Sequence, residues 1–351
     1  MEKFPNYNSN IEDKDHSKND SESAAEVKTE AVDDHIQERH SVKSYKELGA
    51  IGEGKDDTNT WGIVKWKGEL RSIYQDEQLM VEGYVDEILK TEPQGTVRIA
   101  DFGGAEGTLL RKIFDHLKAA GLEPIGATID SALKVEGGKT AKAWEEYREQ
   151  NPDSRERIIA IPANYMTEME NVNIHPGSLD FAISRYSAQY VPEVDRAEFF
   201  AKQAELLKPG GRLIAEWPGA DDERSERLLN SWWAQFAAIT QGIDPGDFKQ
   251  QQHYPTPEQV MIAAEKAGLN VISSENIEQL DLNVHETAVS NGTRFVKLDD
   301  HQKIRLRELY FSLAVHYPEL VHYDEEKDSH WIRMSVGKLV AEKPLQVDGI
   351  E

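Results

Sequence analysis

From residue 96 onward, short runs rich in Val, Ile and Ala alternate with longer stretches whose apolar residues recur every three or four positions. TVRIADF (96–102), PIGATID (124–130), RIIAIPAN (157–164), SLDFAISRY (178–186) and GRLIAEW (211–217) have the texture of strands. TLLRKIFDHLKAA (108–120), GKTAKAWEEYREQ (138–150) and DRAEFFAKQAELL (195–207) have the periodicity of amphipathic helices. Gly121 and the Asn151-Pro152 pair supply stops for the first two. LNVISSENI (269–277) reads as a sixth strand and WIRMSVGKLVAEKP (331–344) as a closing seventh. Strands alternating with helices of this length imply crossover units, hence a parallel sheet with helices on both faces. The expected fold is α/β, a doubly wound, mostly parallel seven-stranded sheet.

The remaining segments decorate that sheet. A helix is expected over DERSERLLNSWWAQFAAIT (222–240). Thr256-Pro257-Glu258-Gln259 is a capping box with Pro at the first helical position, opening QVMIAAEKAG. Residues 278–330 form an insertion before the last strand, with a helix at HQKIRLRELYFSLAVHY, serving as a lid or as a packing ornament. Upstream, TWGIVKW is a strand or extended segment, and ELRSIYQDEQLMVEGYVDEIL has helical spacing. Residues 45–92 therefore read as a helical N-terminal cap, and 93–351 as the main domain. Residues 1–44 hold only seven of the residues Met, Phe, Ile, Val, Leu and Trp among many polar ones, the composition of a disordered acidic leader. No internal repeat is present.

Composition narrows the function. The 351 residues are 38% hydrophobic and 30% charged, a globular balance, with no apolar stretch of the ~18–20 residues needed to span a membrane. The N-terminus lacks the apolar core of a secretory signal. Cysteine is absent, which removes disulfides, thiol nucleophiles and cysteine-ligated metal, and makes the cytoplasm the expected compartment. The formal charge is −24; residues 1–44 hold 11 acids and 6 bases, so −19 belongs to the body. Such a surface repels phosphate backbones and anionic lipid, so neither nucleic acid nor membrane is an expected partner. The histidines show no metal-ligand spacing, and no metal is expected.

The chemistry concentrates at the first strand-to-helix junction, Asp101-Phe102-Gly103-Gly104-Ala105-Glu106-Gly107. Glycines there let a ligand approach the backbone closely, and the helix start offers free N–H groups. The spacing is G-G-x-x-G, out of register with the dinucleotide fingerprint G-x-G-x-x-G. Asp130 closes the second strand, where a carboxylate can accept both hydroxyls of a ribose; a plain helix cap is the other reading.

Residues 96–130 and 178–217 resemble class I S-adenosylmethionine-dependent methyltransferases, with a Rossmann-like fold. The matching pieces are VRIADFGGAEG, IGATIDSA, IPANY, LDFAISRYSAQYV and LLKPGGRLIAEW. The resemblance implies that Gly103, Gly104 and Gly107 lie under the methionine and ribose of S-adenosylmethionine. It implies Asp101 near the amino group, Asp130 with Ser131 at the ribose, and Ala163 and Asn164 at the adenine edge. Many relatives have Asp where Asn164 stands. Ser184 and Arg185 would border the methionine end and the acceptor. No role follows for Glu106.

Around the transferred methyl, Tyr186, Tyr190, Trp217, Trp232 and Trp233 offer aromatic faces suited to a cation or a flat acceptor, or simply helix core. Arg185 could pair with an acceptor carboxylate or with a structural acid. His253 and His285 are candidate bases. The resulting expectation is methyl transfer to a small-molecule acceptor (an O, N, S or C nucleophile), enclosed by the cap and the insertion. Arg185, Tyr186, Tyr190 and His253 are its catalytic candidates. The rival readings are a protein or peptide methyltransferase and a non-catalytic binding relative. The assembly state stays open, a homodimer included.

Overall fold

The computed structural model of the chain describes residues 63–66, 69–72, 77–135, 138–152, 157–241, 253–283, 299–324 and 329–345. The leader expected over 1–44, and His285, lie outside them. In chain order the elements are β1 (Ile63–Trp66), β2 (Glu69–Ser72), α1 (Glu77–Leu89), β3 (Thr96–Phe102), α2 (Thr108–Ala119), β4 (Glu123–Ile129), α3 (Lys139–Gln150), β5 (Ile158–Ile161), β6 (Leu179–Arg185), α4 (Glu193–Leu206), β7 (Leu207–Gly219), α5 (Glu223–Gln241), α6 (Pro257–Lys266), β8 (Asn270–Asn283), α7 (Asp300–His316), β9 (Val321–Asp324) and β10 (Ser329–Glu342).

These strands form one sheet in the order β2-β1-β8-β10-β7-β6-β3-β4-β5, with β9 beside β10. The pairings β5-β4-β3-β6-β7 are parallel, and β10 runs antiparallel between β7 and β8. Seven of the strands are those the hydrophobic pattern predicts, and β1 lies within TWGIVKW, read as a strand or extended segment; β2 and β9 extend the sheet further. The chain leaves β3 for β4 on one side and later returns to β6 on the other. The reversal leaves a crevice at the carboxyl ends of β3 and β6, where an open α/β sheet receives its ligand.

Two expectations change. ELRS (69–72), grouped by its spacing with the helix that follows, is instead a strand that pairs with β1 from Ile63↔Ser72 to Trp66↔Glu69. β1 in turn adds to β8 at Val64↔Leu282 and Lys65↔Asp281. That pairing satisfies backbone groups through contacts remote in sequence, which local periodicity does not register. The described part of the 278–330 insertion also continues the sheet: β8 runs on to Asn283 beside β10, and β9 pairs with β10.

Alternation along the strands sorts side chains to the two faces. On one face Val97, Ile99, Phe181, Ile183 and Ile214 pack against α1, α2 and Trp144 of α3. On the other, Ala100, Phe102, Leu213, Ala215 and Trp217 pack against α4 and α6. A third cluster joins α5 and α7 to Val321 of β9 and to Ile332, Met334 and Val336 of β10, and it takes in Trp232. The cap and insertion thus contribute helices to cores.

The capping box at α6 forms as its residues predict: Thr256 accepts from the Gln259 N–H at 3.3 Å, and Gln259 accepts from the Thr256 N–H at 3.2 Å. Thr256→Ala should lower stability by about 1 kcal/mol in urea denaturation with an unchanged slope, the usual worth of an N-cap. An unchanged midpoint would show that the cap does not hold the helix.

Candidate active site

Parallel pairing brings the ends of β3 and β4 together at Phe102↔Ile129. The turn after β3 is tied to β4 at two points: the Gly103 N–H donates to the Ile129 carbonyl at 2.8 Å, and the Ala105 N–H donates to Asp130 Oδ2 at 2.8 Å. Asp130 Oδ1 accepts from the Ala132 N–H, also at 2.8 Å. Each carboxylate oxygen keeps a lone pair for a further donor. Gly103 has φ +77°, and a Cβ there would lie 2.1 Å from the Ser187 hydroxyl oxygen. At Gly104 a Cβ would meet Asp101 Oδ2 at 2.3 Å and Thr128 Oγ1 at 2.4 Å. Both positions therefore need glycine for close approach.

Above this turn lies a cavity of about 340 Å³ lined by Gly103, Asp130, Ser131, Asn164, Tyr165, Met166, Tyr186, Ser187, Tyr190 and Val191. The lining joins polar backbone, a carboxylate, an amide and hydroxyls to three tyrosines, Met166 and Val191. The Asn164 loop is braced: Asn164 Oδ1 accepts from the Met166 N–H at 2.9 Å, and Glu168 accepts from the Asn164 N–H at 2.7 Å while pairing with Lys134. Ser187 donates to the Phe102 carbonyl at 2.9 Å, closing β6 onto β3. Burial pushes the Tyr165 hydroxyl up to about 12, against the pull of the neighbouring Ser187.

Beside the cavity lie buried charges. Asp101 is 1% exposed, and neither of its carboxylate oxygens accepts a hydrogen bond among the described residues. Burial, helped by Asp130, pushes it up to about 7 while Arg185 pulls it down. Glu216, 2% exposed at the end of β7, is pushed by burial to about 7 against Arg185, Lys338 and the Tyr84 hydroxyl, with Glu278 adding to the rise. The Arg185 guanidinium lies over the Tyr186 ring at 4.9 Å. Tyr186 holds a left-handed backbone at φ +53°, uncommon outside glycine.

Of the residues singled out in the sequence, Gly103, Asp130, Ser131, Asn164, Tyr186 and Tyr190 line the cavity. Asp101 and Gly104 stand directly behind its glycine turn. Gly107 begins α2 at φ +71°, and Ala163 and Ser184 are fully buried off the cavity wall. Arg185 joins the buried charges. His253 is not on the wall: its N–H donates to the Gln189 carbonyl at 2.7 Å. Its imidazole is lowered by burial and by Arg196, with Glu193 opposing. Trp217 and Trp232 are core, and Trp233 packs on the α5–α7 cluster. The cap and insertion place no described residue on the wall. Tyr165, Met166, Ser187, Val191 and Glu216 were missed as site residues. The signal for the first four was their place in loops following parallel strands.

The family model described as "Methyltransferase domain" matches residues 74–274. No curated protein matches the sequence at a significant level. Among solved structures, a candidate methyltransferase from Bacillus halodurans C-125 is 13% identical, with a TM-score of 0.54 over 75% of this chain and 99% of its own. The YcgJ protein of Bacillus subtilis is 12% identical, with a TM-score of 0.52 over 75% of this chain and 99% of its own. At these identities the likeness is one of fold. Among the described residues no helix is long and apolar enough to cross a membrane, and no three His, Asp or Glu side chains gather as metal ligands would.

The buried Asp101 gives a pH signature. Its ordinary value is ~4, so the folded chain holds this proton across about pH 4–7 while the unfolded chain releases it. Stability then falls as pH rises through that window and stays reduced above it. Asp101→Asn removes the buried charge, so its melting temperature relative to wild type should rise between about pH 5 and about pH 8. A difference that stays constant in a fluorimetric melt series would contradict the raised value.

Proposed function

The chain belongs to the methyltransferase-domain family, and from that premise we propose that it methylates a small organic acceptor bound at the aromatic side of the β3/β6 cavity. S-adenosylmethionine supplies an already electrophilic methyl, so the protein's work is alignment and exclusion of water. The cavity suits this donor. Two of its glycine positions have no room for a Cβ, and its one acid is oriented by two backbone amides. In this reading Asp130 accepts the ribose hydroxyls through its remaining lone pairs, with Ser131 beside it. Asn164 and Met166 stand on the loop toward the adenine edge. Gly103 leaves the backbone open to the donor's methionine end, and Asp101 is a buried carboxyl behind the turn.

The observation that carries the acceptor class is the part of the lining that follows β6, where Tyr186, Tyr190 and Val191 border the cavity and no described residue of the lining is cationic. With a formal charge of −24, such a wall favours an uncharged, flat or cationic molecule over a polyanion. A cavity of about 340 Å³ falls at the small end of the ligand-site range. Tyr186 and Tyr190 would orient the acceptor; the Asp130 carboxylate is engaged by two backbone amides and, in this reading, by the ribose, which suits a nucleophile needing no deprotonation.

Incubation with isotopically labelled S-adenosylmethionine and fractionated metabolites should place label in a small organic product. Label confined to proteins, or none at all, would overturn the reading. For the donor half, Asp130→Ala should weaken S-adenosylhomocysteine binding by about 1–3 kcal/mol in calorimetry, the scale of lost charged hydrogen bonds. Unchanged affinity would remove Asp130 from the ribose site.

A further inference from the structure

Four neighbouring strands each contribute one ionisable side chain to a row on the face covered by α1. They are Asp101 on β3, Arg185 on β6, Glu216 on β7 and Lys338 on β10. The registers Arg185↔Glu216 and Lys338↔Glu216 set the last three side by side, and the signs alternate along the row. α1 seals it: Lys338 Nζ donates to the Gly83 carbonyl at 3.3 Å and stands 3.7 Å from Glu87, while the Tyr84 hydroxyl is buried beside Glu216. Glu278 of β8 completes the charges facing Glu216. With Asp101 and Glu216 buried and Arg185 and Lys338 half-buried, such a row is a poor device for stability alone, since well-packed apolar residues commonly do as well or better.

The row ends at the cavity. The Tyr186 N–H donates to the Glu216 carbonyl at 2.8 Å, and its ring lies beneath the Arg185 guanidinium. Its left-handed backbone is a conformation that a bulky side chain keeps only when its surroundings impose it, and such strain clusters at functional sites. We propose that Glu216 is a positioning residue: by fixing Arg185 over Tyr186 it holds that ring in its strained seat, and so sets the wall an acceptor meets. The proposal rests on the reading of the cavity as a methyl-transfer site, and deepens it.

The test uses the full chain with ¹³C-labelled tyrosine rings, the Tyr186 signal being identified by its loss in Tyr186→Phe. Between about pH 5.5 and about 8.5 that signal should titrate in the wild type, and Asp101→Asn should keep the titration. Glu216→Gln should abolish it, with S-adenosylhomocysteine affinity changed less than about threefold. For an acceptor found by the labelled-donor screen, kcat/KM should fall about 10- to 100-fold in Glu216→Gln, as expected of a misplaced wall, with donor KM unchanged. A Tyr186 signal that ignores pH, a titration surviving Glu216→Gln, or an unchanged acceptor kcat/KM overturns the proposal. Should Glu216→Gln fail to fold, Arg185→Lys takes its place: it keeps the charge but not the planar stacking, and an unmoved Tyr186 signal there is equally fatal. Wild-type protein that does not bind S-adenosylhomocysteine instead overturns the functional reading, and the Tyr186 titration still decides the role of Glu216.

Discussion

The crevice owes its form to a single carboxylate. Asp130 follows β4, yet one of its oxygens takes the Ala105 N–H from the turn after β3 while the other takes the Ala132 N–H of its own loop. This is possible only because the parallel register puts Phe102 and Ile129 level with each other. Ala105 sits at φ +44° within that turn, a conformation the acid helps to impose. The donor groups and the acid are therefore in place before any ligand arrives, which lowers the ordering cost of binding. Everything else on the cavity wall is arranged around this clamp.

Much of the fold can be read from the chain because strands covered on both faces appear as apolar runs, and their helices show a clear stripe. TVRIADF coincides with β3, and the Thr256 box appears with both of its hydrogen bonds. The glycine turn and Asp130 are legible for a related reason: each stands where a parallel strand ends, and the two strands are consecutive neighbours in the sheet. What escapes is convergence. Tyr165 and Ser187 matter because separate strand ends meet, and Glu216 stands in an apolar strand with partners on α1, β6 and β10. His253 shows the same limit: its place before the capped helix is plain in the sequence, but that its backbone bonds to Gln189 and that it stands off the cavity wall are not.

The two sides of the cavity answer to different physics. Toward β3 and β4, backbone amides, glycines and carboxylates offer directional hydrogen bonds. Toward β6, tyrosines offer broad faces whose placement depends on side chains behind them. Arg185 belongs to this second side, level with Glu216 on the neighbouring strand and over the Tyr186 ring. A guanidinium suits that post, being planar, permanently charged and weakly hydrated.

The cluster built by α5, α7, β9 and β10 is filled separately from the two cores that flank the parallel strands. Tyr186 and Trp233 are among the residues that rest against it from the edge. Because substitutions in compartments without shared contacts act nearly independently, changes of packing in that lobe leave the cores beside the parallel strands as they are, and reach the cavity wall through Tyr186.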